Sequence, residues 1–386
     1  MRAMPAAVII GSRPIPALDG IRGVAIIWVV FHNATDLPYA GLPVFHLPAL
    51  LAHMGWIGVE LFFALSGFLI TRGLLETQGT ALYFRNFYAK RALRILPLYY
   101  TVLFMLLVVL PRVVTLHPPY SNEHQASLWL FFANWTPLVP YGFAHFWSLA
   151  VEEQFYLFWP LVVCWLPAGR LLRICVWTAV GALLLRGALA AYGVDWWTLY
   201  VITPGRMDAL ALGGAVACVM HLPALRAWTQ MRITAISVAT LLLFLLGAVL
   251  THAYDRTAWP GQTLGYSLLA VCCAALVGSV AITEHTVPTR LASVLAWRPL
   301  RLFGRYSYAI YVFHNLLHKL VGEPWLTNHF GEHPPIQVVF IYATTVLAVS
   351  YPLGMCSYHV LEKHFLTLKR FFVPGRSARS ARVSTA

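Results

Sequence analysis

Ten stretches of about twenty residues, almost all apolar, constrain this chain more than any other feature. They fall at roughly 18–36, 52–74, 95–111, 147–167, 172–193, 206–222, 233–251, 263–282, 303–320 and 336–360. An α-helix needs about 20 apolar residues to cross a bilayer, because only a helix or a closed barrel satisfies its own backbone there. The expected fold class is therefore an all-α polytopic membrane protein with about ten transmembrane helices. Only 11% of the 386 residues are charged, against about 25% in soluble domains. A further apolar piece, 127–140, is short and broken by proline, which suits a re-entrant or interfacial segment. Residues 1–17 lack the apolar core of a signal peptide and read as a cytoplasmic N-terminal segment. The unit spanning the membrane then covers 18–366, and the basic stretch 367–386 reads as a disordered cytoplasmic tail.

A formal net charge of +13 raises the question of nucleic acid, but the basic residues sit in short loops and the tail, the pattern of topology signals. With the N-terminus in the cytoplasm, inner segments hold 22 of the 27 Lys and Arg. Arg112, Arg186, Arg206, Arg256 and Lys319 remain outside or in outer helix halves. Both termini are then expected inside, with the lipid bilayer and not nucleic acid as the partner. The six cysteines all lie in apolar runs without metal-ligand spacing, so they read as small core residues, and no metal site is expected.

Charges within such runs are costly and usually face a protein interior or a wet cavity. The first run, LDGIRGVAIIWVVFHN, carries Asp19, Arg22 and His32. Ten residues of helix place His32 about 15 Å deeper than Arg22. His32 suits a general base near mid-membrane, and equally a helix–helix hydrogen bond. Glu60 is a lone carboxylate in GWIGVELFFALSGFLIT and reads as a partner for Arg22 or another buried cation. Arg91 and Arg94 share a helix face at i, i+3, beside Arg85 and Lys90. They read either as a topology signal or as a phosphate site, since the guanidinium fork matches phosphate. In HFWSLAVEEQFYLFWP, Glu152 and Glu153 lie about 100° apart on a helix, so only one is expected to face a site. Glu152 is taken as the charge partner of His32 and Glu153 as interfacial, with Trp147 and Ser148 shaping the site. Arg206 and Asp208 are expected at the outer mouth of the sixth run. At i, i+2 they cannot face each other, so each needs another partner or a cap role. His314 reads as structural.

Taken together, these blocks resemble the acyltransferase-3 family of integral-membrane O-acyltransferases. The resemblance rests on LDGIRGVAIIWVVFH, GVELFFALSGFLIT, Tyr88 to Tyr99, Trp147 to Pro160, Arg206 to Leu210 and Gly304 to His314. It ends with Ser357, Tyr358, Glu362 and Phe365. It implies transfer of an acyl group, usually acetyl, from acyl-CoA as co-substrate, with no bound cofactor. The acceptor would be a hydroxyl of an envelope carbohydrate, or of a small molecule such as a macrolide. It implies residence in the bacterial plasma membrane. By position, Arg22 and His32 match the family's pair linked to activity, and Arg91 and Arg94 match its RxxR. With the reading of the residues above, His32 and Glu152 are expected to be catalytic, Arg22, Arg91 and Arg94 to bind the donor, and Glu60, Trp147, Ser148, Arg206 and Asp208 to shape the site. Some members carry a fused esterase-like domain, for which the ten runs leave no stretch here. A proton-coupled transporter or flippase is the rival from another class; it would show internal repeats, and none is visible in the sequence.

Overall fold

The computed structural model describes residues 15–35, 47–113, 122–136, 139–283 and 290–372. The expectations for 1–14 and 373–386 fall outside the described residues. Among the described residues, ten helices have 18 residues or more. They are α1 (Pro16–Thr35), α2 (Ile57–Thr77), α3 (Tyr83–Leu103), α4 (Trp147–Trp165) and α5 (Ala168–Ala191), followed by α6 (Thr203–His221), α7 (Ile233–Leu250), α8 (Tyr266–Thr283), α9 (Arg298–Leu317) and α10 (Ile336–Ser357). The chain is an all-α polytopic membrane protein.

Seven helices are long and apolar enough to cross a membrane, or eight if the bent pair Trp196–His221 and Pro223–Met231 counts as one span. The expected ten is thus met in long helices but not in apolar ones. The helices that fall short, α4 and α9, carry the polar residues of the interior: Glu152, Glu153 and Gln154 on α4, and Ser307, His314 and Asn315 on α9. A helix whose polar face turns into a bundle loses mean hydropathy without losing its place in it.

Burial orders the layers. In the helical run Pro48–Thr77, which ends in α2, 83% of the most apolar window is buried, against 6% for α7. The first is the centre of the bundle and the second is apolar all round, as a lipid-facing helix must be. Cys356 is exposed, unlike the buried Cys175, Cys218, Cys272 and Cys273, which corrects its reading as a core residue.

Close backbone approach fixes two interfaces. Gly23 on α1 lies against the Leu300 carbonyl, and Gly304 on α9 against the Asp19 carbonyl. Gly67 on α2 lies against Leu210, and Gly213 on α6 against Ala64. A side chain at any of these four would drive into backbone. Small residues of this kind let membrane helices pack without a hydrophobic driving force. They hold α9 and α6 against α1 and α2, on which the charged residues sit.

The segment between α3 and α4 folds inward, as expected of an interfacial or re-entrant piece. Tyr99 donates to the Leu128 carbonyl at 2.7 Å and Tyr100 to the Trp129 carbonyl at 3.1 Å. The ring of Phe131 stacks on Tyr99 at 4.2 Å. At the other end of the chain, helical structure runs past 366 to Phe372. Residues 367–372, expected as part of a disordered tail, are thus helical, and the Phe372 ring lies 5.8 Å from the Arg85 guanidinium on α3.

Candidate functional site: an arginine-lined cavity

Arg22, Arg91 and Arg94 come from two helices and converge. They line a cavity of about 90 Å³ with Ser66, Ser148, Glu152, Glu153, Tyr156, Ser307, Tyr308 and Tyr311. The same three arginines also line an adjoining cavity of about 260 Å³ with Thr77, Tyr83, Asn86, Lys90 and Lys369. Arg22 and Arg94 continue into a third space, of about 490 Å³, shared with Asp19, Arg298, Arg301 and Arg305. The expected donor-binding trio is thus one physical cluster, although Arg22 stands about seventy residues from the other two.

The smaller cavity is built around Glu152. Ser66 donates to its Oε1 at 2.6 Å, and the Tyr156 hydroxyl lies 3.0 Å from both Glu152 Oε2 and Ser66 Oγ. The Arg91 guanidinium lies over the Tyr156 ring, 4.8 Å from its centre. One aromatic side chain therefore orients both the acid and the base of the cavity, by hydrogen bond and by cation–π contact. Tyr156 stands one helical turn after Glu152, so the i, i+4 rule could have found it. Ser66 needed the fold.

Two expectations change here. Glu153 was expected at an interface, yet it lines the same cavity as Glu152. The cavity is wide enough to admit two faces of α4, so the 100° between them does not exclude either. Glu152 was expected to pair with His32, and its hydrogen bonds go to Ser66 and Tyr156 instead. Glu152 is thus held by α2 and by its own helix, and α4 starts among buried side chains, Phe143, Phe146 and Trp147.

His32 is 3% exposed and does not line the arginine cavity. Its Nδ1 lies 3.3 Å from the Ala52 carbonyl, and its ring 6.3 Å from that of His53. A carbonyl only accepts, so this contact places the ring proton on Nδ1 and makes Nε2 the basic nitrogen. The neighbouring Asn33 lies 2.7 Å from His314 Nε2. His314 Nδ1 in turn donates to the Tyr311 carbonyl at 2.7 Å. The hydroxyl of Tyr311 lies 2.5 Å from Ser148 Oγ and donates to the His145 carbonyl at 2.9 Å. Ser148 and Tyr311 line the arginine cavity, and the Tyr311 ring lies 5.4 Å from that of His314. A chain of polar side chains thus runs from the cavity through Tyr311 and His314 to Asn33, the neighbour of His32.

The remaining candidates are not at a mouth. Arg206 is fully buried and pairs with Glu60. Tyr266, Tyr200, Phe63 and Trp147 surround its guanidinium at 4.5, 5.2, 5.8 and 5.9 Å. Asp208, equally buried, pairs with Arg186 at 2.7 Å and also accepts from Ser267 at 3.1 Å. This corrects the placement of Arg206 and Asp208 at an outer mouth. The inference that neither could serve the other holds, since each found a partner on another helix. Of the expected site-shaping residues, Ser148 lines the cavity. Trp147, Glu60, Arg206 and Asp208 form the packed core behind it.

The chain matches the acyltransferase-3 family, described as an acyltransferase domain, over residues 15–355, and belongs to that family. It is 28% identical over 378 residues to YrhL of Bacillus subtilis, covering 92% of this chain and 55% of that protein. It is 27% identical over 325 residues to the peptidoglycan O-acetyltransferase OatA of Listeria monocytogenes, covering 78% and 49%. To the O-acetyltransferase OatA of Staphylococcus aureus it is 28% identical over 404 residues, covering 96% and 60%. The chain spans about half the length of the curated relatives it matches. No solved structure matches it.

Proposed function

We propose that this protein is a membrane O-acyltransferase that moves an acyl group, acetyl foremost, from acyl-CoA to a hydroxyl of a cell-envelope carbohydrate. One observation carries the reading: Arg22, Arg91 and Arg94 converge on one cavity, and among the described residues their one short ion pair is Arg22 with Asp19, at 3.2 Å and partly exposed. Arginines held together in this way suit a polyphosphorylated ligand, because charge-assisted, forked hydrogen bonds are what guanidinium groups offer best. The peptidoglycan O-acetyltransferase among the relatives supports a carbohydrate acceptor. The excess of Lys and Arg in the segments at the Arg22 end supports a cytosolic donor side and plasma-membrane residence.

In this reading the arginines hold the CoA diphosphate. Glu152, oriented by Ser66 and Tyr156, sets the position of Arg91. His32 acts from Nε2 as general base on the acceptor hydroxyl, which approaches from the opposite end. The acyl carbonyl must pass Ser148 and Tyr311 to meet it.

The test is acetyl transfer from radiolabelled acetyl-CoA to peptidoglycan fragments, by purified protein in nanodiscs. Wild type is expected to form acetyl ester. His32→Gln is expected to bind CoA normally but to lose about 10²–10⁴-fold in rate, the usual worth of a general base. A His32→Gln protein of unchanged rate removes the base assignment. A wild-type protein that neither binds nor consumes acetyl-CoA removes the donor assignment.

A further inference from the structure

The cavity beyond the arginines has a wall that the bundle core does not supply. Lys369, in the turn Leu368–Phe372, lines it opposite Lys90, Arg91 and Arg94. The helical run that carries it, Ile336–Phe372, has 37 residues. At 1.5 Å per residue that is about 55 Å, against a hydrocarbon core of about 30 Å, so its last turns lie beyond the hydrocarbon. The run passes through a π-helical turn at Tyr358–Glu362. There Glu362 is buried and accepts from Ser357 Oγ at 3.2 Å. The end is fastened to α3, where the Arg85 guanidinium lies 5.8 Å from the centre of the Phe372 ring.

Five cations then face one space: Arg22, Lys90, Arg91, Arg94 and Lys369. No carboxylate lines that cavity among the described residues. Like charges gathered in a half-buried space repel, more strongly than in bulk water. Folding a flexible lysine inward to join four other cations is unfavourable unless an anion with several charges occupies the space.

We propose that Lys369 is a phosphate-binding residue of the donor site, and that with Lys90 it holds the 3′-phosphate of CoA. This rests on the reading of the protein as a CoA-dependent acyltransferase. The choice among the phosphates follows from which residues the cavities share. Arg22, Arg91 and Arg94 line both the small cavity at Glu152 and the larger one. Lys90 and Lys369 line only the larger. A thioester directed toward Ser148 and Tyr311 leaves the diphosphate at the shared arginines and the phosphorylated ribose at the two lysines. The segment Lys363–Phe372 is then part of the binding site and closes its outer wall.

The experiment compares CoA with 3′-dephospho-CoA by titration into full-length protein in zwitterionic nanodiscs. Wild type is expected to prefer CoA about tenfold or more, since a hydrogen bond to a charged group contributes on the order of a tenfold factor. Lys369→Ala should lose most of that preference by weakening CoA alone, and Lys369→Arg should restore it. A Lys369→Ala protein with the wild-type ratio overturns the assignment while leaving CoA dependence intact. A wild type that binds neither ligand overturns CoA dependence and this assignment together. Repeating the titration in phosphatidylglycerol nanodiscs separates a lipid headgroup from the nucleotide. A Lys369 effect that appears only there, as a change in lipid competition without a change in the ratio, also overturns the assignment.

Discussion

Glu60 and Arg206 are wholly buried and touch each other, and Asp208 and Arg186 do the same one helix away. Arg22, Arg91 and Arg94 are half-buried and face open space. Both groups are arginines within an apolar bundle, and both would look alike on a hydropathy plot. The sealed pairs are neutral as units, and aromatic rings crowd the Arg206 guanidinium. With Lys90 and Lys369 the open cluster has five cations against the three carboxylates Asp19, Glu152 and Glu153, and that surplus faces a cavity. The contrast separates charges that hold helices together from charges that hold something else. It also corrects the placement of Arg206 and Asp208 near a site.

Breaking the comparison is most direct at the sealed pair. Arg206→Ala is expected to leave Glu60 buried and unpaired, at a cost of about 3–5 kcal/mol. It should abolish monodisperse protein in detergent size-exclusion chromatography. Glu60→Leu with Arg206→Met should recover much of the folded protein, because a buried pair is often replaceable by apolar groups of similar size. Properly folded Arg206→Ala with impaired CoA binding would move Arg206 into the ligand site and dissolve the distinction.

The open cluster should behave in the opposite way. Arg91→Gln and Arg94→Gln are each expected to keep the wild-type melting midpoint and to raise the KM for acetyl-CoA about tenfold or more, leaving the acceptor KM unchanged. A loss of thermal stability comparable to that of Arg206→Ala would place them among the structural charges. Tyr156→Phe sharpens the same point. It removes one hydrogen bond to Glu152 while keeping the ring beneath Arg91, so a change in rate of about tenfold or less, with donor KM intact, is expected. The smallest effect belongs to Asp19→Asn. Its ion pair with Arg22 is partly exposed, and such pairs contribute about 0–1 kcal/mol. Stability should be unchanged within error on thermal unfolding, and CoA affinity should rise slightly as Arg22 loses its ion pair with Asp19.

Much of this was legible in the sequence. Twenty-residue apolar runs can satisfy their backbone in lipid only as helices, so the class of fold followed from length and hydropathy. The cost of charge in hydrocarbon marked Arg22, His32, Arg91, Arg94 and Glu152 as residues with a purpose. The i, i+2 spacing of Arg206 and Asp208 showed that neither could serve the other. Partners were decided only by the tertiary structure. Glu152 sits with Ser66 and Tyr156 and not with His32, a pairing no hydropathy window reports. Glu153 joins it because the cavity spans two faces of one helix. Lys369 reaches the arginines because the last helical run continues to Phe372 and its end lies against α3. The energy of burying a charge depends on its residue type and its surroundings. The sequence supplies the first, and long-range packing at glycine contacts such as Gly23 with Leu300 and Gly67 with Leu210 supplies the second.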